Sequence, residues 1–321
     1  MNCVFLLAGL LTLAPGGLTL DEQAPAKSVA TIQATHDRAL VRDLLAYLAE
    51  NPKATDAEQA YREVFDKVIE HDWFAEHEAV ARKYLDEKSE GSARSLAGII
   101  VTMGRAEAGK FAEALASYQQ LMNGLGGSDQ EEFAVNFADT LATAATAAGE
   151  VEVTRKIYDT LLKKFGAESP NLAQRVKDEL TRLERVGQLA PLLTIKDLNG
   201  KPLRLDEYRG KYVLVEFWAT WCEPYVVEIP RLIATREKYG PKGFEIVAIS
   251  LDETRSAVSD FVRDRKIPWR VVHNGSSDGD LVEAFGVRVI PSTFLIDPTG
   301  KIVRLELRGP ALNKALESLI K

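Results

Sequence analysis

The chain has 321 residues, enough for two ordinary domains. Hydrophobic residues make up 46% and charged residues 27%, the balance of a soluble globular protein. The formal net charge is −7 and no cluster of Lys and Arg resembles a phosphate footprint, which argues against nucleic-acid binding. The acidic excess lies before Pro191, and the rest is slightly basic. A solvated helical face explains it better than an acidic docking surface.

Val4 to Leu13 is an apolar run too short to span a bilayer but the right length for the core of a signal peptide. Ala24-Pro25-Ala26 offers a small-x-small cleavage site. The usual basic flank is missing, and Cys3 precedes the apolar run, which excludes a lipoprotein signal. The expectation is a signal peptide over 1–26 and a periplasmic or secreted protein with no stable membrane span after its removal.

Residues 27–187 read as an all-α domain. Leu40, Leu44, Leu45 and Leu48, then Tyr61, Val64, Phe65, Val68 and Ile69, recur at helical spacing. Asn51-Pro52, Gly91, Gly109, Gly126-Gly127, Gly149 and Ser169-Pro170 punctuate them, and Asp56 or Ser128 could start new helices. Ala108-Gly109 followed by Tyr118 and Leu121 is echoed, 40 residues on, by Ala148-Gly149, Tyr158 and Leu161. The spacing exceeds the usual tetratricopeptide unit, so the reading is a TPR-like helical hairpin domain. An irregular hairpin stack fits equally well.

The period changes after Gly187. Segments at Thr194–Leu198 and Pro202–Leu205 flank Asn199-Gly200, a hairpin-turn signal. Tyr212–Trp218 is a nearly continuous apolar run, as in a strand covered on both faces. A helix to Tyr239, a strand at Phe244–Ile249, a helix from Thr254, a short strand at Val271-Val272, a short helix from Asp280, two strands around Asp297–Gly300 and a last helix to Lys321 complete residues 188–321. Alternating strands and helices closed by a hairpin and a helix predict an α/β three-layer sandwich.

Cys222 follows the central strand and opens a helix, where backbone N–H groups and the helix dipole favour a thiolate. Pro224 is well tolerated in a first helical turn. Glu216 interrupts an apolar strand, which is costly unless the acid is paired, protonated or functional. Glu228 lies about two helical turns beyond Cys222, and either acid could move a proton during thiol exchange. Ile290-Pro291 places a proline at a strand start, a setting for a cis bond.

Taken in order, Leu205–Lys211, Glu216–Pro224, Glu228-Ile-Pro230 and Phe285–Asp297 resemble the TlpA/ResA-like extracytoplasmic thiol-disulfide oxidoreductases of the thioredoxin superfamily, in a redoxin/AhpC-TSA-like setting. The resemblance implies a thioredoxin-like fold, an attacking Cys222 and a cis-Pro291 in the substrate groove. It also implies a buried acid at Glu216 and an active-site glutamate at Glu228. It says nothing about residues 27–187. The departure is Tyr225, which stands where the family keeps its resolving cysteine.

With Cys3 removed, the chain has one thiol and cannot form an internal disulfide. The expected function is a monothiol oxidoreductase, with Cys222, Glu216 and Glu228 catalytic and Trp221, Pro224, Tyr225, Ile290 and Pro291 contacting substrate. Protein thiols or disulfides, or a small thiol reductant, would be its partners, and the helical domain could hold a further protein. No cofactor or metal is expected. The alternatives are a redox-inactive peptide-binding module and a thiol peroxidase. Against the latter, position 219, three before the cysteine, is alanine rather than threonine.

Overall fold

The computed structural model describes residues 28–320 apart from 89, 127–129, 193–194 and 277–280. The expected signal segment with Cys3, and the positions Gly127, Ser128, Thr194, Asp280 and Lys321, lie outside the described residues. Among the described residues no helix is long and apolar enough to cross a membrane.

The first half is helical: α1 (Val29–Glu50), α2 (Ala57–Glu70), α3 (Phe74–Glu87), α4 (Arg94–Glu107), α5 (Phe111–Gly124), α6 (Glu131–Ala148), α7 (Val151–Phe165) and α8 (Pro170–Leu183). Ser28 caps α1 by accepting from the Thr31 N–H. Asp56 precedes α2 but makes no cap. Its carboxylate accepts the Tyr47 hydroxyl at 2.6 Å instead. The repeated tyrosines, Tyr118 on α5 and Tyr158 on α7, are both buried in the core shared by these helices, with the Tyr118 hydroxyl donating to the Ile157 carbonyl at 3.4 Å. Gly149 ends α6 with φ of +86°, and a Cβ there would strike the Arg304 guanidinium from the other half. Turn conformation and close approach both require glycine at this point.

The second half begins with a hairpin, β1 (Ile195–Lys196) and β2 (Pro202–Leu203). Gly200 takes φ of +74° in its turn. There follow β3 (Tyr212–Trp218), α9 (Glu223–Tyr239), β4 (Phe244–Ser250), α10 (Arg255–Asp264), β5 (Arg270–His273), α11 (Leu281–Phe285), β6 (Ser292–Ile296), β7 (Ile302–Leu305) and α12 (Gly309–Leu319). The strand order is β5-β4-β3-β6-β7, with β3, β4 and β5 parallel and β6 and β7 antiparallel to their neighbours. This is the thioredoxin-like sandwich the sequence implies, preceded by a helical region.

β3 is central, so both its faces are covered and its apolar run has no polar alternation. Its side chains still divide by the period of two. Val213, Val215 and Phe217 enter one core with Phe285 and Phe294. Leu214 and Trp218 enter the other, with Cys222, Tyr225, Ile229 and Leu232. Ala147 of α6 belongs to that second core, so the helical half packs directly against the sheet unit. Each large side chain fully buried there contributes about 1.5–3 kcal/mol.

Candidate functional site

Cys222 is the residue before α9, and its carbonyl accepts from the Tyr225 and Val226 N–H groups at 3.0 and 3.1 Å. Its neighbour Trp221 is 70% exposed while Cys222 itself is 5% exposed and unpaired. Pro224 is exposed in the first turn. The Ile290–Pro291 peptide is cis. Ser292 pairs with Phe217 in the β3–β6 register, which sets Pro291 level with Trp218 at the strand end leading to Cys222. Ile290 packs against the core that holds Cys222, and Val289 beside it is exposed. Trp221 and Val289 therefore present apolar surface near the thiol.

Glu216 lies on the Cys222 face of β3, between Leu214 and Trp218, and is buried. Burial raises its carboxyl to about 8, and the charge of Glu228 adds to the rise, while Tyr225 and Arg308 oppose it. Tyr225 is not on the groove with Trp221. It is 3% exposed and stacks on Trp218, with ring centroids 4.6 Å apart. Burial first, then the neighbouring Glu216, pushes the phenol well above its ordinary value. The hydroxyl lies close to Glu216 and favours its charged form, yet neither Tyr225 Oη nor Glu216 Oε2 completes a hydrogen bond. Trp218 Nε1 and Trp269 Nε1 are also buried without acceptors. Four unsatisfied polar atoms in one core mark the place where the fold tolerates polarity at a cost.

Glu228 sits on α9 at intermediate burial. It accepts from the Gly309 N–H at 2.8 Å and pairs with Arg231 at 2.8 Å. It ties α9 to the start of α12.

Two groups escaped sequence reasoning. Asp252, just beyond β4, accepts the Thr220 N–H at 3.0 Å, the Thr220 hydroxyl at 2.6 Å and the Ser250 hydroxyl at 2.7 Å. It thereby fixes the loop two residues before the thiol. The only signal was Ser250-x-Asp252 after a strand. The second is an ion-pair chain. Arg182 of α8 bonds Glu179 at 2.6 Å and Glu306 at 2.5 Å. Glu306 accepts from the Ser292 hydroxyl at 3.1 Å and from Arg308 at 2.7 Å, and Arg308 also donates to the Pro291 carbonyl. Helix α8 is thus linked to the cis-proline segment.

Elsewhere Asp37, Glu70 and His71 bring ligand atoms within 4.8 Å of one another. Lys67 Nζ already bridges Asp37 at 3.3 Å and Glu70 at 2.8 Å, so an ammonium supplies the positive charge there.

A strand-end cysteine opening a helix, opposite a cis-proline on the neighbouring strand, defines a thioredoxin-fold redox-type site. Residues 186–305 match the AhpC/TSA family model. Over 138 residues the chain is 37% identical to the thiol-disulfide oxidoreductase ResA of Bacillus cereus (strain ATCC 10987 / NRS 248), covering 42% of this chain and 77% of that protein. It is 36% identical over 119 residues to the ResA of Bacillus subtilis (strain 168), covering 37% of this chain and 65% of that one. Among solved structures, the thioredoxin domain of a thiol-disulfide oxidoreductase from Bacteroides vulgatus is 33% identical. It matches 42% of this chain and 98% of that one, with a TM-score of 0.40. The chain belongs to the ResA/TlpA-like thiol-disulfide oxidoreductase family. The matched relatives correspond to its second half, so the helical half is additional to what they share.

Proposed function

We propose that the protein is a monothiol thiol-disulfide oxidoreductase of an extracytoplasmic compartment. Cys222 Sγ, as thiolate, attacks one sulfur of a substrate disulfide; a new S–S bond forms to Cys222 and the second sulfur leaves as a thiolate. An external thiolate then attacks the mixed disulfide and frees Cys222. Glu216, held as a neutral acid below about pH 8, can give its proton to the departing thiolate, and the carboxylate so formed can take one back from the incoming thiol in the resolving step. Glu228 braces the helix that carries Cys222, while Trp221, Ile290 and Pro291 offer the surface on which substrate lies.

The observation that carries this reading is the register that sets cis-Pro291 beside the strand end bearing Cys222, with Glu216 on the same face. Tyr225 supports the external step, because among the described residues no second thiol stands in this core. The burial of Cys222 favours one competitor, a groove that holds peptide without turnover.

Treatment with 5,5′-dithiobis(2-nitrobenzoate) tests it. In a Cys3→Ser background one equivalent of nitrothiobenzoate should be released per chain, none when Cys222→Ser is added, and added low-mass thiol should restore the free cysteine. A folded protein whose Cys222 forms no mixed disulfide would leave the binding module in front. Peroxide consumption abolished by Cys222→Ser would establish the peroxidase instead.

A further inference from the structure

The cis-proline segment borders a cleft that the helical half closes. Its walls include Tyr158 and Arg175 from the helices and Arg288, Val289, Pro291 and Arg308 from the sheet unit. The cleft is a built feature. Arg182 and Glu306, side chains only 12% and 11% exposed, bond across the joint at 2.5 Å, and Arg308 ties Glu306 to the Pro291 carbonyl.

Charge in this cleft is layered. Glu306 and Glu179 are withdrawn, their side chains 11% and 21% exposed, together with Arg182 at 12%, while Asp139 at 35% sits level with its partner Arg175. The outer arginines reach water: Arg288 is 61% exposed, and Arg175 and Arg308 are each 41%. Arg288 makes no hydrogen bond among the described residues, and its nearest acid, Asp178, is 3.9 Å away. Arg308 donates through Nη2 alone. A guanidinium has five N–H donors in a fork that matches a carboxylate, so Arg288 and Arg308 keep unspent donors at this exposed edge, whereas Arg175 spends Nη1 on Asp139 at 2.8 Å and its Nη2 is buried. The presented surface is cationic although the cleft as a whole is nearly balanced.

The geometry points to a substrate groove that continues past Pro291 onto the helical half and takes an acidic segment of the protein whose cysteine reacts with Cys222. This rests on the oxidoreductase reading above. The occupant is a polypeptide segment because the surface is extended. It includes exposed Val289, which suits an apolar side chain, with Pro291 and the arginines on either side of it. A small thiol reaching Cys222 would not fill that length.

The test uses the full chain carrying Cys3→Ser and three peptides, each with one cysteine activated as its nitrothiobenzoate disulfide and flanked by Glu, Ala or Lys. Stopped-flow release separates the saturating rate from the half-saturating concentration. The Glu peptide should half-saturate at about tenfold lower concentration than the Lys peptide, with saturating rates within about twofold. That ratio should collapse toward one in Arg288→Ala/Arg175→Ala and in about 0.5 M salt. Exposed, distant Arg42→Ala should keep it. Equal half-saturation for Glu and Lys peptides would overturn the inference while leaving the oxidoreductase intact. So would a preference shown equally by a one-residue cysteine derivative, because the site would then read a small thiol. If no peptide is captured, the oxidoreductase reading falls. The groove is then read by fluorescence anisotropy with the Glu peptide carrying serine for cysteine. Binding at least tenfold tighter than its Lys counterpart supports the inference, and equal binding overturns it.

Discussion

Tyr225 lies against Trp218, ring centroids 4.6 Å apart and planes 26° from parallel, so it is a structural part of the core beneath Cys222. A ring of this size cannot simply stand in for a thiol. The Tyr225 ring fills the volume beneath the thiol.

Tyr225→Cys should therefore have two separable effects. Loss of the stacked ring should lower stability by about 2–4 kcal/mol, the range of large-to-small core changes. The added thiol should let the variant release a captured peptide without external thiol. Urea unfolding reads the first effect and mass spectrometry of the trapped adduct reads the second.

Glu216 sets a pH dependence. Its carboxyl is raised to about 8 in the folded protein, above the ordinary carboxylate range of the unfolded chain. Between those values the native state holds the proton that the unfolded state has lost. Its contribution is thus full below the unfolded value and is lost as pH rises towards about 8. The slope is at most about 1.4 kcal/mol per pH unit. Glu216→Gln, neutral and of similar shape, should flatten that decline in denaturation measured at pH 5, 7 and 9.

Asp252→Ala should loosen the loop that carries the thiol. Thr220 loses the acceptor of its N–H and its hydroxyl. A cost of about 2–3 kcal/mol is expected, since bonds to a charged acceptor exceed neutral ones. Hydrogen exchange of the 219–222 amides should rise while that of α2 stays unchanged.

Arg182→Met should be severe, because it strips the cation from Glu179 and Glu306 at a joint that water scarcely reaches. Removing one partner of a buried pair costs about 3–5 kcal/mol. Adding Glu306→Gln should recover more than half of the loss in chemical denaturation.

Much of this was legible in the chain. β3 announced itself through its continuous apolar run, and Glu216 stood out because nothing around it was polar. The burial of Tyr225 was also written there: Tyr225, Ile229 and Leu232 follow the i, i+4, i+7 spacing of an inward helix face. Arg182 and Glu306 were beyond reach. They lie 124 positions apart, and no local period reports which distant charges a fold will bring together.

Ala147 carries a consequence for how the molecule comes apart. It is a helical-half residue within the core that holds Cys222 and Trp218, and two positions later Gly149 admits Arg304 where any side chain would collide. Excising residues 188–321 would leave a gap in the wall of that core and uncover the ion pairs at the joint. The halves are then partners in one cooperative transition, and calorimetry of the whole chain should show a single endotherm.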